Sequence, residues 1–317
     1  MNQESTNDLR AFAAHALLER LDALQRELPG VRQADDPESI HRARVASRRL
    51  RSALSLFSDV LPHKKLVRWQ KHVRRLTRAL GDARDTDVQI ELLDATLLEL
   101  AKAPPPERRV HVPGIARLRL RRQQRRERLQ RAVERALADW HESEVASAMA
   151  ETLASWREEG TEVPTDLHGQ GKAKLLGLLD ELLVLEPCVH NPEDIAGLHA
   201  MRIAGKRLRY ALEVFEPAYG EAFKPALRAL RAVQDALGDI HDCDVWAQFL
   251  PHFAVKERER TRAFCGHTRP FAHIASGLTW LQEERAQQRM RRYHALVALW
   301  QKAAPPEVWA ALRAAID

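Results

Sequence analysis

Cysteine is scarce in this chain: Cys188, Cys243 and Cys265 are widely spaced among 317 residues, and none sits in a Cys-x-x-Cys arrangement. That excludes a disulfide framework and a cysteine-built zinc site, and it fits reduced thiols in a cytoplasmic protein. No apolar stretch is long enough to span a bilayer, and the first ten residues lack the basic-then-apolar pattern of a secretory signal. The expected location is the cytoplasm. Glycines number only 13 and β-branched runs are missing, which argues against a strand-rich fold. No serine or cysteine stands in a recognisable nucleophile motif. The segment Gly169–Lys172 fails as a phosphate loop, because Ala173 replaces the needed hydroxyl and no strand precedes it.

What is present is helical periodicity. Apolar residues recur at three- and four-residue spacing and predict helices over 8–28, 37–60, 63–80, 84–103, 114–158, 172–186, 193–217, 221–237, 241–264, 271–302 and 306–316. Pro104-Pro105-Pro106 and Pro113-Gly114 read as breaks. Gly160 to Gly171 reads as the boundary between two halves, 1–160 and 161–317, of a single domain covering 1–317.

The halves repeat one another. His41–Phe57 aligns without a gap on His199–Phe215, sharing His, four cationic positions and the apolar Leu50/Leu208, Leu54/Leu212 and Phe57/Phe215. Further on, Arg74–Val88 matches Arg231–Val245, each containing Leu-Gly-Asp-x-x-Asp-x-Asp-Val. Shared apolar residues need only a common core. Shared cations suggest that both halves act on something negatively charged.

Charge supports this. The formal net charge is +6 and the pI about 9.4, which points to anionic partners. Residues 41–51 hold five arginines and no acid, 63–84 hold eight cations against Asp82, and 117–135 add nine arginines. At about 100° per residue, His41, Arg44, Arg48 and Arg51 share one helical stripe, as do His199, Arg202, Lys206 and Arg209. A solvated face would mix signs to gain i,i+4 pairs. The adjoining helix adds Lys64, Arg68, Lys71, Arg75 and Arg78, with Lys224, Arg228 and Arg231 in the second copy. Arg49 and Arg207 lie to one side, where they could pair with acids. Trp69, Phe57, Phe215, Phe223 and Trp246 fall on or beside apolar faces and read as core, leaving the stripes without platforms for base stacking.

The triplets Asp82/Asp85/Asp87 and Asp239/Asp242/Asp244 raise a metal reading, in which carboxylates hold Mg²⁺ for phosphoryl chemistry. The structural reading is preferred. It places Gly81 and Gly238 at left-handed helix ends, Asp82 and Asp239 at the next N-cap with Asp85 and Asp242 three residues on, and some of the aspartates against neighbouring arginines. His41 and His199 open their stripes and read as anion ligands. Nearby arginines should disfavour their protonation, and a bound polyanion should restore it.

These two repeated blocks, His-x-x-Arg-[Val/Ile]-x-x-[Arg/Lys]-Arg-Leu-Arg-x-Ala-Leu and Leu-Gly-x-x-[Arg/His]-Asp-x-Asp-Val, resemble the CHAD domain, the conserved histidine α-helical domain, over about Leu9 to Trp300. The resemblance implies an all-α fold of two pseudo-twofold-related four-helix bundles enclosing a basic central groove. It also implies non-catalytic binding of long-chain inorganic polyphosphate, by His41, Arg44, Arg48, Arg51, Arg68, Lys71, Arg75, Arg78, His199, Arg202, Lys206, Arg209 and Arg228. No cofactor and no metal is expected, and no membrane or nucleic-acid partner, with polyphosphate granules as the wider association. The Glu-x-Glu-x-Lys signature of the triphosphate tunnel domain often fused to such domains is missing here, so the chain reads as a free-standing copy. The alternatives are a nucleic-acid-binding protein that contacts phosphates and a metal-dependent polyphosphate hydrolase.

Overall fold

The structure, a computed structural model, describes residues 3–33, 37–159 and 167–317. Among them are ten α-helices and no strand: α1 Gln3–Gln33, α2 Pro37–Leu56, α3 His63–Lys102, α4 Pro105–Glu142, α5 Val145–Glu159, α6 Leu167–Leu183, α7 Ile195–Tyr219, α8 Lys224–Cys265, α9 Ala272–Ala303 and α10 Pro306–Ile316. Residues 160–166, which carry most of the expected boundary between halves, lie outside the described residues.

The packing is consistent with the duplication. α1 packs on α2, α2 on α3 and α3 on α4; in the same way α6 packs on α7, α7 on α8 and α8 on α9. α5 returns to α1 as α10 returns to α6, so each series has five helices. The copies meet where α2 contacts α7 and α4 contacts α9. Their cores merge there. Phe57 and Phe215, matched in sequence, lie 6.3 Å apart between ring centroids, and Phe12 of α1 stacks on Phe215 at 5.5 Å. All three rings are buried, each worth about 1.5–3 kcal/mol of transfer free energy. A second apolar cluster, built around Leu93, Ile115, Trp246 and Leu278, fills the far ends of α3, α4, α8 and α9.

Three features differ from the sequence reading. Gly81 and Gly238 do not end helices; α3 and α8 run through them as single rods, and neither glycine has positive φ. A helix interior tolerates glycine at roughly 1 kcal/mol relative to alanine, a cost that packing along so long a helix offsets. The aspartates that follow are therefore helix-interior side chains, not caps. Second, the expected helix 114–158 is two helices, α4 and α5, separated by a turn at Ser143 and Glu144, where Glu144 takes φ 51°. Third, α4 starts at Pro105, which fits the first turn because its missing N–H has no partner to lose there. It then continues through Pro113 and Gly114. Gly114 is used for a helix crossing instead of a break: a Cβ there would lie 2.3 Å from the Ile274 carbonyl oxygen, and one on Gly277 would lie 2.2 Å from that of His111.

Candidate functional site

Where α2 meets α7, the two cationic stripes converge on one cleft of about 1150 Å³, closed by parts of α3, α6 and α8. Each stripe turns to the cleft for the reason read from sequence. Ala46, Leu50 and Ala53 on α2 with Phe57 just after it, and Ala204, Leu208, Ala211 and Phe215 on α7, are buried in the core, which leaves the cations on the opposite faces. Of the predicted residues, His41, Arg44, Arg48, Arg51, Arg202 and Lys206 line it. Arg84, Lys174, Arg207 and His241 join them, so eight lysines and arginines face four carboxylates, Asp59, Asp85, Glu181 and Asp242.

Three of those carboxylates pair with a cation at the wall. Asp85 accepts from Arg44 at 3.1 Å, Asp59 lies 2.6 Å from Lys174, and Glu181 accepts from Arg207 at 3.3 Å. Arg48 bridges the copies, donating to the hydroxyl of Tyr210 on α7 at 2.8 Å. The Nε atoms of Arg48 and Arg202 are buried and have no hydrogen-bond partner in the protein. Unsatisfied buried donors are costly, and these two have almost no accessible surface, so a ligand oxygen would reach them only if the side chains shifted.

The crowding of like charge shows in the protonation equilibria. Burial, and then Arg202, Arg48, Arg44 and Arg209, bring the pKa of Lys206 down to about 7. Burial together with Arg202, His199 and Lys206 brings His241 down to about 4. Burial also pushes the Asp242 carboxyl up, against the pull of Arg202. The Lys206 and His241 shifts record cations short of compensation, which an entering polyanion would supply, while it would press the Asp242 carboxyl further toward its neutral form.

The other predicted residues lie outside the lining. On the first half of α3, Arg68 donates to the Ser143 carbonyl at 2.9 Å and Arg75 to Asp139 at 2.6 Å, while Lys71 and Arg78 are exposed. The cleft borders α3 only from Arg84 onward. On α7, Arg209 lies over the ring of Tyr210, 4.9 Å from its centroid, with Glu213 at 3.4 Å. His199 is exposed at the rim, its Nδ1 3.3 Å from Nδ1 of His241. Arg228 is exposed on α8. Lining residues absent from the expectation had a partial signal. Arg84 and His241 are matched positions in the repeated Gly-Asp block, whereas Lys174 belongs to no repeated motif.

The aspartate triplets divide between cleft and scaffold. Asp85 and Asp242 face the cleft. Asp87 accepts from Arg126 of α4 at 2.6 Å and its counterpart Asp244 from Arg289 of α9 at 2.5 Å, while Asp239 lies 3.0 Å from Arg292. Among the described residues no three His, Cys, Asp or Glu side chains converge as a metal would require. The two aromatics in the lining, Tyr210 and Trp246, are buried, so no ring is offered to a base. No helix among the described residues is long and apolar enough to cross a membrane.

Comparison with solved structures finds the CHAD domain from the plant Ricinus communis, with TM-score 0.68 and 26% identity over 93% of this chain and 91% of that one. PptA from Streptomyces chartreusis shares the fold, with TM-score 0.58 and 17% identity over 92% and 99% of the two chains. No curated protein matches the chain. The family model for the CHAD domain matches residues 15–251, which include both His/Arg helices and both Gly-Asp blocks, and the chain therefore belongs to the CHAD domain family.

Proposed function

We propose that the cleft binds long-chain inorganic polyphosphate and performs no chemistry on it. One observation carries the reading: Arg44 and Arg48 from one copy, and Arg202 and Lys206 from the other, face a single cleft whose lining holds eight lysines and arginines against four carboxylates. Planar guanidinium forks suit phosphoryl oxygens, and a slender chain can be contacted from both walls at once. Membership of a family associated with polyphosphate-related proteins supports it. So does the lack of an exposed aromatic ring among the described residues lining the cleft, which a binder of single-stranded nucleic acid would need. Asp85 is held by Arg44 and Asp242 lies beside Arg202, which suits holding cations in place better than ligating a metal.

Competition between long-chain polyphosphate and duplex DNA tests the proposal. A duplex is too wide to enter and would touch only the rim, so polyphosphate should win at physiological ionic strength, both affinities falling with salt as counterions are released. Equal affinity for DNA would give the site to nucleic acid. Release of orthophosphate from polyphosphate in Mg²⁺ or Mn²⁺, abolished by Asp85→Ala and Asp242→Ala in folded protein, would make the protein a hydrolase.

A further inference from the structure

Lys206 is the single lysine in the two matched stripes; its counterpart in the first copy is Arg48. It lines the cleft, and among the described residues no carboxylate forms an ion pair with its ammonium. The charged groups around that part of the cleft are Arg202 and Arg209 on its own helix, Arg44 and Arg48 on α2, and His241 and Asp242 on α8. Beyond them the walls add Lys174 and Glu181 on α6 and Arg84 and Asp85 on α3. An arginine in this position would keep its proton, whereas a lysine can give it up. With its pKa near 7, Lys206 is largely a free amine in mildly alkaline solution, where an ordinary lysine, titrating at about 10.4, is almost wholly protonated. A desolvated lysine beside other cations is a recognised way to make an amine nucleophilic.

We infer that Lys206 is a site of covalent acylation by small acyl phosphates, the cleft arginines holding the phosphoryl oxygens while the amine attacks the acyl carbon. The Nζ lone pair forms a bond to the carbonyl carbon. The bond from that carbon to the bridging oxygen breaks, and orthophosphate leaves with the electron pair and takes up the proton the nitrogen sheds. The product is a neutral N-acyl-lysine, and no other reactant is needed. Acylation removes one cation from the cleft and so lowers its affinity for any polyanion. The inference shares with the proposed function only the premise that the cleft receives phosphoryl oxygens.

The test treats the full chain with acetyl phosphate at mildly alkaline pH and follows each lysine by peptide mass mapping. Lys206 should be acetylated about tenfold or more faster than the exposed Lys64, Lys256 and Lys302, the gain in free amine outweighing the lower nucleophilicity of a weaker base. Its rate should level off above about pH 7 to 8 while theirs keep rising. Lys206 reacting no faster than those three would overturn the inference. An equal preference with a phosphate-free acylating ester would overturn the part assigned to the arginines. Excess polyphosphate should protect Lys206. Fast acetylation without protection would leave the acylation standing and sink the polyphosphate reading; tight polyphosphate binding with an unreactive Lys206 would do the reverse.

Discussion

Lys206 shares a wall of the cleft with Arg202 and faces Arg44 and Arg48, and of these four cations it alone can discharge at ordinary pH. Its folded-state pKa lies below the value of an unfolded chain, so between about 7 and 10.5 the unfolded state binds the extra proton. The resulting loss of stability is complete below pH 7 and shrinks as pH rises toward 10.5. Lys206→Met should therefore raise the melting temperature of the empty protein, by the equivalent of about 1 kcal/mol or more at pH 6 to 7, with the gain fading in alkali. The same substitution should weaken polyphosphate binding. Calorimetry in buffers of different ionisation enthalpy should show proton uptake on binding above pH 7. No uptake would mean that the ligand does not reach Lys206. At this scale the sequence was informative where it repeated itself: Arg44 with Arg202, and Arg48 with Lys206, stand out as pairs. The Arg84/His241 pair is equally repeated but sits inside an aspartate motif, and its second copy is a histidine, so no fixed cation is shared there. Lys174 has no matched cation, and only the packing of α6 against α7 brings it to the cleft.

Helix α8 shows why glycine is a weak guide to where a helix stops. Gly238 sits mid-helix, and a Cβ there would meet nothing within 4 Å. Gly238→Ala should therefore stabilise the protein by about 0.5–1 kcal/mol. A loss of stability would restore the left-handed turn that the sequence suggested. Gly114 and Gly277 present the opposite case, since each added Cβ would strike a carbonyl oxygen of the facing backbone. Gly277→Ala must push α4 and α9 apart and should cost several kcal/mol, roughly the scale of overpacking a core. Thermal melts of the two alanine variants should move in opposite directions. Helix α4 also shows what charge runs conceal. In the arginine run of α4, Arg117 and Arg121 reach the buried Glu257, at 3.2 and 2.9 Å, and Arg126 reaches Asp87, while Arg119 pairs with Asp94 nearer the surface. Burial alone would raise the pKa of Glu257, yet hydrogen bonds from Arg121 and Arg260 hold it below the ordinary value. Spacing along α4 gave the periodicity of these arginines but not their partners, which lie on other helices.

Across the whole molecule, the all-helical class was legible because every apolar face has helical period, and the cleft was legible because its walls are copies. What spacing along the chain could not supply was depth: which part of each cationic stripe reaches the junction. Arg68, Lys71, Arg75 and Arg78 continue the periodicity of α3 but lie before the stretch of that helix bordering the cleft, so they should matter less than Arg44, Arg48, Arg202 and Lys206. If both walls grip one ligand, Arg44→Gln with Arg48→Gln, and separately Arg202→Gln with Lys206→Gln, should each weaken polyphosphate binding at least about tenfold, on the scale of two charge-assisted hydrogen bonds. Arg68→Gln with Arg75→Gln should weaken it only slightly and mainly at low salt, where distant charges still act. Neither cleft pair should lower the melting temperature much, because each removes mutual repulsion along with contacts. Combining the two pairs with His41→Ala and His199→Ala should leave almost no binding. An intact affinity after one wall is neutralised would mean that the two stripes do not share a ligand, whatever their symmetry.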